Sequence, residues 1–336
     1  MNSYDQDQAW PITIPQIQRL QIESTSFCNA NCPSCERYKY PYEKSIYNRP
    51  LNTNFITYQN VIDWFDFTSY RNLKEVHFCG NIDEPTLNPD LLPILNYIST
   101  STPDHTKIFV STNGGTKNKL FWQSLAQLPK VVTIWGIDGL EDTNHIYRQN
   151  VKWDKLMENI SYYMSVGGRG AWQFIVFEHN KHQLDMARLY ADDLGFFGFL
   201  EVNSRKPNPK TPEVKIDKRP ESSCVTCKAT YENSDLGQGF FIDVKGNVWP
   251  CCWMGTHEES NKVAIKYLQS QGQMIFDDTI DAISEQQNKL HNLHEHSLED
   301  IISSDFYKFL HLNMNELNIC NEKCRKEMVD EIHWNM

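Results

Sequence analysis

Cysteine is the residue type whose spacing in this sequence most clearly suggests chemistry. The chain of 336 residues contains ten cysteines, nine of them in short groups. The first group is Cys28-Asn-Ala-Asn-Cys32-Pro-Ser-Cys35, with C-x3-C-x2-C spacing. Three thiolates so close together in one loop can hold a four-iron cluster. One iron is then left without a protein ligand and can accept an exogenous chelating group, like the open position of a catalytic metal site.

A zinc site is the alternative for this loop. Zinc takes four ligands, and its cysteines usually come in paired C-x2-C spacing. Three cysteines at this spacing fit zinc poorly, so the arrangement favours an iron–sulfur cluster.

Three more cysteine groups lie in the last third of the sequence. They are Cys224 with Cys227, Cys251 with Cys252, and Cys320 with Cys324. Cysteines grouped in this way in a reducing compartment usually bind metal or do redox chemistry. A structural zinc site made by four of them is the alternative. The tenth, Cys79, stands alone, and we interpret it as a buried structural thiol.

Composition and charge restrict where the protein works. No apolar run approaches the roughly 18–20 residues that span a bilayer, and the N-terminal residues show no signal-peptide pattern. We therefore expect a cytoplasmic protein with no membrane partner. A formal net charge of -11 makes a nucleic-acid partner unlikely, because binding phosphates takes clustered Lys and Arg.

Alternating strand and helix patterns position the first cysteine group. Runs rich in β-branched and aromatic residues predict strands at 19–24, 73–78, 107–111, 131–137, 172–177 and 199–203. Apolar residues at helical spacing predict helices at 55–67, 91–98, 120–128, 153–164 and 184–194. This alternation predicts βαβ units and a parallel sheet, either as an open six-unit barrel or as a doubly wound sheet.

The sequence changes character after residue 204. Residues 205–222 are polar and Pro-rich, which predicts a linker. The region 223–336 contains a predicted hairpin, 240–244 with 248–249, and helices near 282–293 and 298–310. We expect residues 1–204 to form an α/β core domain and residues 223–336 to form a small cysteine-rich α+β domain.

The first cysteine group resembles the signature of the radical S-adenosylmethionine (SAM) superfamily, and the resemblance extends over the whole chain. It implies a partial (β/α)6 TIM-like barrel whose chemistry lies at the carboxyl ends of the strands. It also implies a [4Fe-4S] cluster held by Cys28, Cys32 and Cys35. In this family the cluster passes one electron to the sulfonium of SAM, and the resulting 5′-deoxyadenosyl radical abstracts hydrogen from substrate.

Motifs at two other strand ends also resemble this family. The segment Gly80-Asn-Ile-Asp-Glu84-Pro85 is similar to a Gly-rich Glu-Pro motif that hydrogen-bonds the SAM amino group, although Asp83 stands where a Gly is common. The segment Thr112-Asn113-Gly114 resembles a turn that runs close to SAM. The alternative for both segments is an ordinary turn.

The next two strand ends complete the implied SAM site. Asp138 and the later Arg148 resemble a Ser-Ile-Asp-Gly segment and an Arg that meets the SAM carboxylate, but Gly136 replaces the Ser. Asn180 stands where relatives bind the SAM ribose. A surface role for Arg148 and a helix N-cap for Asn180 are the alternatives. The implied SAM-binding set is Glu84, Pro85, Thr112, Asn113, Gly114, Asp138, Arg148 and Asn180.

One further departure concerns adenine. Ser34 stands where relatives often have a bulky residue before the third cysteine, and Tyr38 or Tyr40 could stack on the base instead.

The C-terminal cysteines resemble the SPASM or twitch extensions of this family. The resemblance implies one auxiliary [4Fe-4S] cluster, with Cys227, Cys251, Cys320 and Cys324 as ligands. Their neighbours Cys224 and Cys252 are close substitutes for two of these.

The function implied by the resemblance is that of a radical SAM enzyme, either an oxidoreductase or a peptide-modifying maturase. A peptide is the first expectation for the substrate and a small molecule the second, with flavodoxin or ferredoxin as the reductant. About twenty residues precede the first strand, and we expect these to be too few for a leader-peptide recognition domain. The alternatives are an iron–sulfur electron-transfer protein that has lost SAM chemistry and a zinc-binding module.

Overall fold

One mostly parallel sheet organises the part of the chain that the structure describes. The computed structural model describes residues 12–35, 37, 55–78, 80–203, 239–255, 259–272 and 289–313. Within these residues the sheet has eight strands: β1 (Arg19–Ile22), β2 (Glu75–Phe78), β3 (Lys107–Thr112), β4 (Val131–Gly136), β5 (Gly170–Val176), β6 (Gly198–Asn203), β7 (Gly239–Ile242) and β8 (Val248–Trp249).

The strand order identifies the type of α/β fold. The sheet runs β6-β5-β4-β3-β2-β1-β7-β8, so the first six strands follow each other in chain order, and each neighbouring pair among them is parallel. A doubly wound sheet would reverse its strand order at a switch point, which is absent from these six strands. The fold is therefore an open partial barrel, as the sequence predicted.

Helices follow the strands and cover the outer face of the sheet. Their bounds are α1 (Tyr58–Trp64), α2 (Leu91–Ser101), α3 (Lys119–Ala126), α4 (Asn144–Tyr147), α5 (Trp153–Ser165), α6 (Leu184–Asp193), α7 (Cys252–Gly255), α8 (Glu259–Ser270), α9 (Leu298–Ser303) and α10 (Asp305–Leu312). In the core, Trp122 of α3 stacks on Trp135 of β4 with ring centroids 4.8 Å apart, and Tyr163 of α5 packs edge-on against Trp122. The five helices predicted in the barrel region are confirmed, with ends that shift by a few residues.

The opposite face of the sheet carries a second, smaller apolar cluster. Phe109, Val132, Ile134 and Ala171 form it, and His77 stacks on Phe109 with ring centroids 4.6 Å apart. All six residues of β4 are buried, because the strand has apolar neighbours on both faces. This face of the sheet, opposite the helices, lies next to the loops that follow the strands.

The predicted hairpin forms, but it belongs to the same sheet as the barrel strands. Strand β7 pairs in parallel with β1, so that Leu20 lies opposite Phe240, and β8 returns antiparallel to β7. The sequence pattern instead predicts this hairpin as part of a separate C-terminal region. The apolar run at β7 gives no sign of its neighbour, because strand pairing at long sequence separation leaves no local pattern.

A buried carboxylate fixes the turn of this hairpin. Asp243 accepts hydrogen bonds from the backbone N–H groups of Lys245 and Asn247 and from the Trp249 indole. Gly246 has a φ of +86°, which a residue with a side chain rarely adopts. These contacts bring the end of β8 to a defined position beside β1.

Two other predictions concern the C-terminal half. The helix predicted at 298–310 is two helices, α9 and α10, because Ser304 is extended between them and its side chain caps α10. The linker at 205–222 lies outside the described residues, as does most of the helix predicted at 282–293, so the domain boundaries remain predictions. No helix in the described ranges is long and apolar enough to cross a membrane.

The pairing of β7 with β1 predicts an unequal effect of two Gly→Ala substitutions. A Cβ on Gly239 would lie 2.8 Å from the Arg19 carbonyl oxygen, whereas a Cβ on Gly198 would meet only the Ala171 Cβ at 3.7 Å. We expect Gly239→Ala to lower the free energy of unfolding by about 1–3 kcal/mol through overpacking. The matched control Gly198→Ala, also at the first residue of a strand, should be close to neutral. Thermal melting under anaerobic conditions measures both, and equal melting temperatures would contradict the close β1–β7 approach.

Candidate active site

The loop after β1 carries the first cysteine group at the carboxyl edge of the sheet. Cys28 and Cys35 are partly exposed, Cys32 is 8% exposed, and all three are free thiols. Burial, together with the smaller effects of the neighbouring Glu84, Cys32 and Cys35, raises the pKa of Cys28 to about 12. Burial likewise raises the pKa of Cys35 to about 11. The three sulfurs therefore lie within electrostatic reach of one another, in surroundings that give their anions little hydration.

Hydrogen bonds to the neighbouring loops hold the cysteine loop in place. The Asn31 N–H donates to the Gln149 carbonyl at 2.9 Å, and the Cys35 N–H donates to the Cys32 carbonyl at 3.1 Å. The guanidinium of Arg37 donates to the carbonyl oxygens of Ser26 and Ile82. These contacts attach the cysteine loop to the loops that follow β2 and β4.

Two buried carboxyl groups join the ends of β1 and β2. Glu23, at the end of β1, accepts hydrogen bonds from the backbone N–H groups of Ile82 and Asp83, both at 2.9 Å. Asp83 accepts in return from the Thr25 N–H at 3.1 Å. Burial raises the pKa of both carboxyl groups, and the proximity of the two raises that of Asp83 further. Both shifts favour a bound proton on the pair, relative to the same side chains in water.

Glu84 connects the loop after β2 to the loop after β3. Its carboxylate is 2% exposed and accepts hydrogen bonds from the Thr112 hydroxyl at 2.6 Å, the Thr86 hydroxyl at 2.7 Å and the Asn113 N–H at 2.7 Å. Burial raises the pKa of Glu84, while these three donors oppose the shift. Pro85 follows as the first residue of a short 3-10 helix.

The turn after β3 reaches the cysteine loop. The side-chain amides of Asn113 and Asn29 exchange hydrogen bonds of 2.9 and 3.2 Å, and Asn113 Nδ2 lies 3.9 Å from Cys28 Sγ. Gly114 has a φ of +66°, and a Cβ there would lie 2.5 Å from Leu156 and 2.6 Å from the Trp135 ring. Only glycine allows this turn to pack so closely beneath the site.

An ion pair lies at the end of β4. Arg148 Nε donates to Asp138 Oδ2 at 2.6 Å, and Asp138 Oδ1 accepts from the Ile175 N–H at 2.7 Å. The Arg148 side chain is 17% exposed, so the surface-Arg alternative is wrong. Burial alone would lower the pKa of Arg148, but the charges of Asp138 and Cys32 raise it above its ordinary value. Arg148 therefore remains a cation.

Asn180 fastens the loop after β5 to the loop after β4. Its amide donates to the carbonyl oxygens of Asp138 and Ile175 and accepts from the Phe177 N–H at 2.7 Å. The N-cap alternative is wrong for its side chain, which makes no capping hydrogen bond to the 3-10 helix that follows. Backbone groups occupy both ends of this amide.

Of the six C-terminal cysteines, the structure describes Cys251 and Cys252, which follow β8 after Pro250. Burial raises the pKa of Cys252 to about 11, and the side-chain amide of Gln21 on β1 donates to its sulfur. Cys224, Cys227, Cys320 and Cys324 lie outside the described residues, as do Tyr38 and Tyr40. Within the described ranges, no group of three or more His, Cys, Asp or Glu side chains is arranged to hold a single metal ion.

The structure brings the described candidates to one edge of the sheet and adds residues that sequence reasoning missed. The additions are Glu23, Asn29 and Thr86. Glu23 falls inside the strand predicted at 19–24, whereas the structure ends β1 at Ile22 and places Glu23 in the loop. Asn29 offered no local signal, because its partner Asn113 is 84 residues away along the chain, and Thr86, two residues from Glu84, does not end a strand.

The shared proton of Glu23 and Asp83 predicts a pH-dependent effect of Asp83→Asn. Because both folded pKa values are raised, the folded pair holds a proton that the unfolded chain releases, so its contribution to stability falls as pH rises. An amide mimics the protonated acid. We therefore expect the melting temperature of Asp83→Asn, relative to the unmodified protein, to increase between about pH 5 and about pH 8.

The control for that experiment is Asp66→Asn. Hydrogen bonds from Thr68 lower the pKa of Asp66, so it is ionised throughout that pH window in both the folded and unfolded chain. Its effect on melting should not change with pH. A pH-independent effect of Asp83→Asn as well would show that Glu23 and Asp83 do not share a proton.

Comparison with protein families identifies two regions of the chain. The model of the radical SAM superfamily matches residues 22–189, half of the chain. The SPASM model, described as an iron-sulfur cluster-binding domain, matches residues 234–326. A comparison with curated proteins gave no significant match.

Solved structures with a similar fold include SuiB from Streptococcus suis and anSMEcpe. SuiB bound to S-adenosylmethionine has a TM-score of 0.53 at 14% identity, covering 71% of this chain and 61% of SuiB. SuiB bound to the precursor peptide SuiA has a TM-score of 0.55 at 14% identity, covering 88% of this chain and 67% of SuiB. Native anSMEcpe with AdoMet and the Cp18Cys peptide has a TM-score of 0.52 at 13% identity, covering 92% of this chain and 89% of anSMEcpe.

This chain thus spans about two thirds or less of the length of SuiB, and identities this low show likeness of fold alone. The family match carries more weight, because it begins at the end of β1 and covers the loops after β1 to β5 in which the candidate residues lie. On that match, the chain belongs to the radical SAM superfamily.

Proposed function

We propose that this protein cleaves SAM reductively at a [4Fe-4S] cluster bound by Cys28, Cys32 and Cys35, and oxidises a peptide with the radical that results. Membership of the family supports SAM-dependent radical chemistry with iron–sulfur and SAM cofactors. The observation that supports these three ligands is their position on the loop after β1, hydrogen-bonded to the loops after β2 and β4.

The chemistry of the donor set fits such a cluster. Burial disfavours the ionised form of all three thiols, so a bound cationic cluster is what would stabilise them as thiolates. Asn113 and Arg148 place N–H groups beside Cys28 and Cys32, which suits sulfur ligands that carry negative charge.

When bound, the cluster supplies one electron that breaks a carbon–sulfur bond of SAM. The residues of this chain bind SAM and orient it. Glu84 Oε1 accepts from the Thr86 and Thr112 hydroxyls and Oε2 accepts from the Asn113 N–H, and we assign the SAM amino group to this carboxylate. Thr112 and Asn113 hold that carboxylate in position. Asp138 and Asn180 already bond backbone groups and Arg148, which favours a positioning role over direct contact with SAM.

The auxiliary cluster is proposed to be held by Cys227, Cys251, Cys320 and Cys324. Of the two adjacent cysteines after β8, Cys252 is engaged with Gln21 inside the sheet. A donor to sulfur suits a cluster ligand as well as a free thiol, so Cys251 is assigned as the ligand on the family resemblance alone. A fully ligated cluster has no open iron for substrate, so we assign it electron transfer.

The electrons balance for a two-electron oxidation. A one-electron donor, flavodoxin or ferredoxin in the cell and dithionite in the assay, reduces the site. With both cofactors bound, cleavage of SAM would supply methionine and a 5′-deoxyadenosyl radical that takes one hydrogen atom from the substrate. The substrate would then lose a proton and one electron, which the auxiliary cluster would pass to the oxidised form of the one-electron carrier. Each turnover removes two hydrogen atoms from the substrate and forms one 5′-deoxyadenosine.

Two neighbours in fold support a peptide as the substrate class. SuiB has been solved bound to a precursor peptide, and anSMEcpe has been solved with a bound peptide. A small molecule is the alternative, and the second experiment below separates the two.

Removal of the first cysteine group should abolish SAM cleavage and remove one cluster. We expect the triple variant Cys28→Ala, Cys32→Ala and Cys35→Ala to lose about four irons per chain after anaerobic reconstitution and to form no 5′-deoxyadenosine with dithionite and SAM. Cys79→Ala, the control, should keep the full iron content and the activity. Iron analysis and chromatography of the nucleoside measure both. A fully loaded native protein that forms no 5′-deoxyadenosine would sink the proposed function.

The substrate class can be tested with two fractions of one cell extract. We expect a fraction of short peptides to raise the rate of 5′-deoxyadenosine formation above the substrate-free rate, and the metabolite fraction to leave it unchanged. The modified peptide should be lighter by two hydrogen atoms by mass spectrometry. Stimulation by the metabolite fraction alone would contradict the peptide proposal while leaving SAM cleavage intact.

A further inference from the structure

Arg148 is held in one position beside the first cysteine group. It directly follows α4, and its side chain turns back into the site and bonds Asp138 at 2.6 Å. Asp138 is fully buried and is itself fixed by the Ile175 N–H, and the Arg148 guanidinium carbon lies 5.5 Å from the Tyr147 ring centroid. A guanidinium restrained from two sides in this way has little freedom to swing into solvent.

The space for this guanidinium comes from Gly136, the last residue of β4. A Cβ at position 136 would lie 2.5 Å from Arg148 Nη2, 2.9 Å from Cζ and 3.2 Å from Nη1. The guanidinium therefore occupies the volume that a side chain at position 136 would fill. The Gly that departs from the family pattern and the inward position of Arg148 are two parts of one arrangement.

The guanidinium also contacts the cysteine loop. It donates a hydrogen bond to the Cys32 sulfur, which is 8% exposed. The Asn31 N–H donates to the Gln149 carbonyl at 2.9 Å. This backbone hydrogen bond joins the residues next to Cys32 and Arg148 and so keeps the two side chains close together. A fixed cation thus lies against one of the three proposed cluster ligands.

We propose that Arg148 tunes the reduction potential of the SAM-binding cluster through its hydrogen bond to Cys32, in a position that Gly136 makes possible. The inference rests on the proposed function, since it requires a cluster at Cys32. A cation and an N–H donor at a ligand sulfur favour the reduced cluster, which carries one more negative charge, and so raise its potential. Asp138 offsets part of this charge. Arg148 is a positioning residue in this role, distinct from a binder of the SAM carboxylate.

The test measures the midpoint potential of the cluster without SAM. A mediated redox titration of the reconstituted protein is monitored by electron paramagnetic resonance. The component of the spectrum that changes on later addition of SAM identifies this cluster. At the wild-type midpoint, we expect Arg148→Gln to lower the reduced-to-oxidised ratio about tenfold, equivalent to about 59 mV for one electron. Gly136→Ala, which displaces the guanidinium without changing the charge of the chain, should shift the potential in the same direction.

The controls separate a local effect from a change of net charge. Arg188→Gln removes an equal charge from α6, where Arg188 pairs with Glu201 at 3.1 Å and is 47% exposed, and should leave the potential unchanged. Arg148→Lys retains the charge and should retain most of the potential. This variant and Gly136→Ala decide the question if Arg148→Gln does not assemble a cluster.

Two results would overturn the inference. One is an unchanged potential in Arg148→Gln and Gly136→Ala with full iron content. The other is an unchanged potential with weaker SAM binding by Arg148→Gln, which would assign Arg148 to the SAM carboxylate. Both leave the proposed function standing. A native protein that assembles no cluster at the first cysteine group would instead remove the proposed function itself.

Discussion

A buried carboxylate between two strand ends is the interaction on which the site depends most. Glu84 accepts donors from both the β2 and the β3 loops, and Asn113, one of its partners, holds Asn29 beside Cys28. A buried carboxylate with short hydrogen bonds is costly to disturb, because loss of any one leaves the buried charge less well compensated. The loops after β2 and β3 are thereby held together by groups of the chain itself.

The sequence predicted the barrel and most of the site because the signals for both are local. Strand and helix periods gave the six barrel strands, and the order of those strands in the sheet follows their order in the chain. Candidate residues such as Asp138 could be found because they lie in segments that follow predicted strands and resemble motifs of the family. The pairing of β7 with β1 could not be predicted, since more than 200 residues separate the two strands and their apolar pattern would suit many neighbours.

Two departures from the family pattern find physical explanations in the structure. Asp83, where a Gly is common, is accommodated because Glu23 and the Thr25 N–H provide its hydrogen-bonding environment. Gly136, where a Ser is common, provides the volume in which the guanidinium of Arg148 lies. Read singly, each departure suggested a weakened SAM site. The compensating residues lie on other strands, so the sequence alone could not connect them.

The continuity of the sheet from β8 through β7 to β1 has a mechanical consequence. Strand β1, which precedes the first cysteine loop, is hydrogen-bonded to β7, and β7 is hydrogen-bonded to β8, which precedes Cys251. A redox centre at Cys251 would then stand at a distance from the first that is set by backbone pairing and is insensitive to the length of the intervening polar segment. Tunnelling between two such centres would proceed along a rigid frame, with a rate that fluctuates little from one turnover to the next.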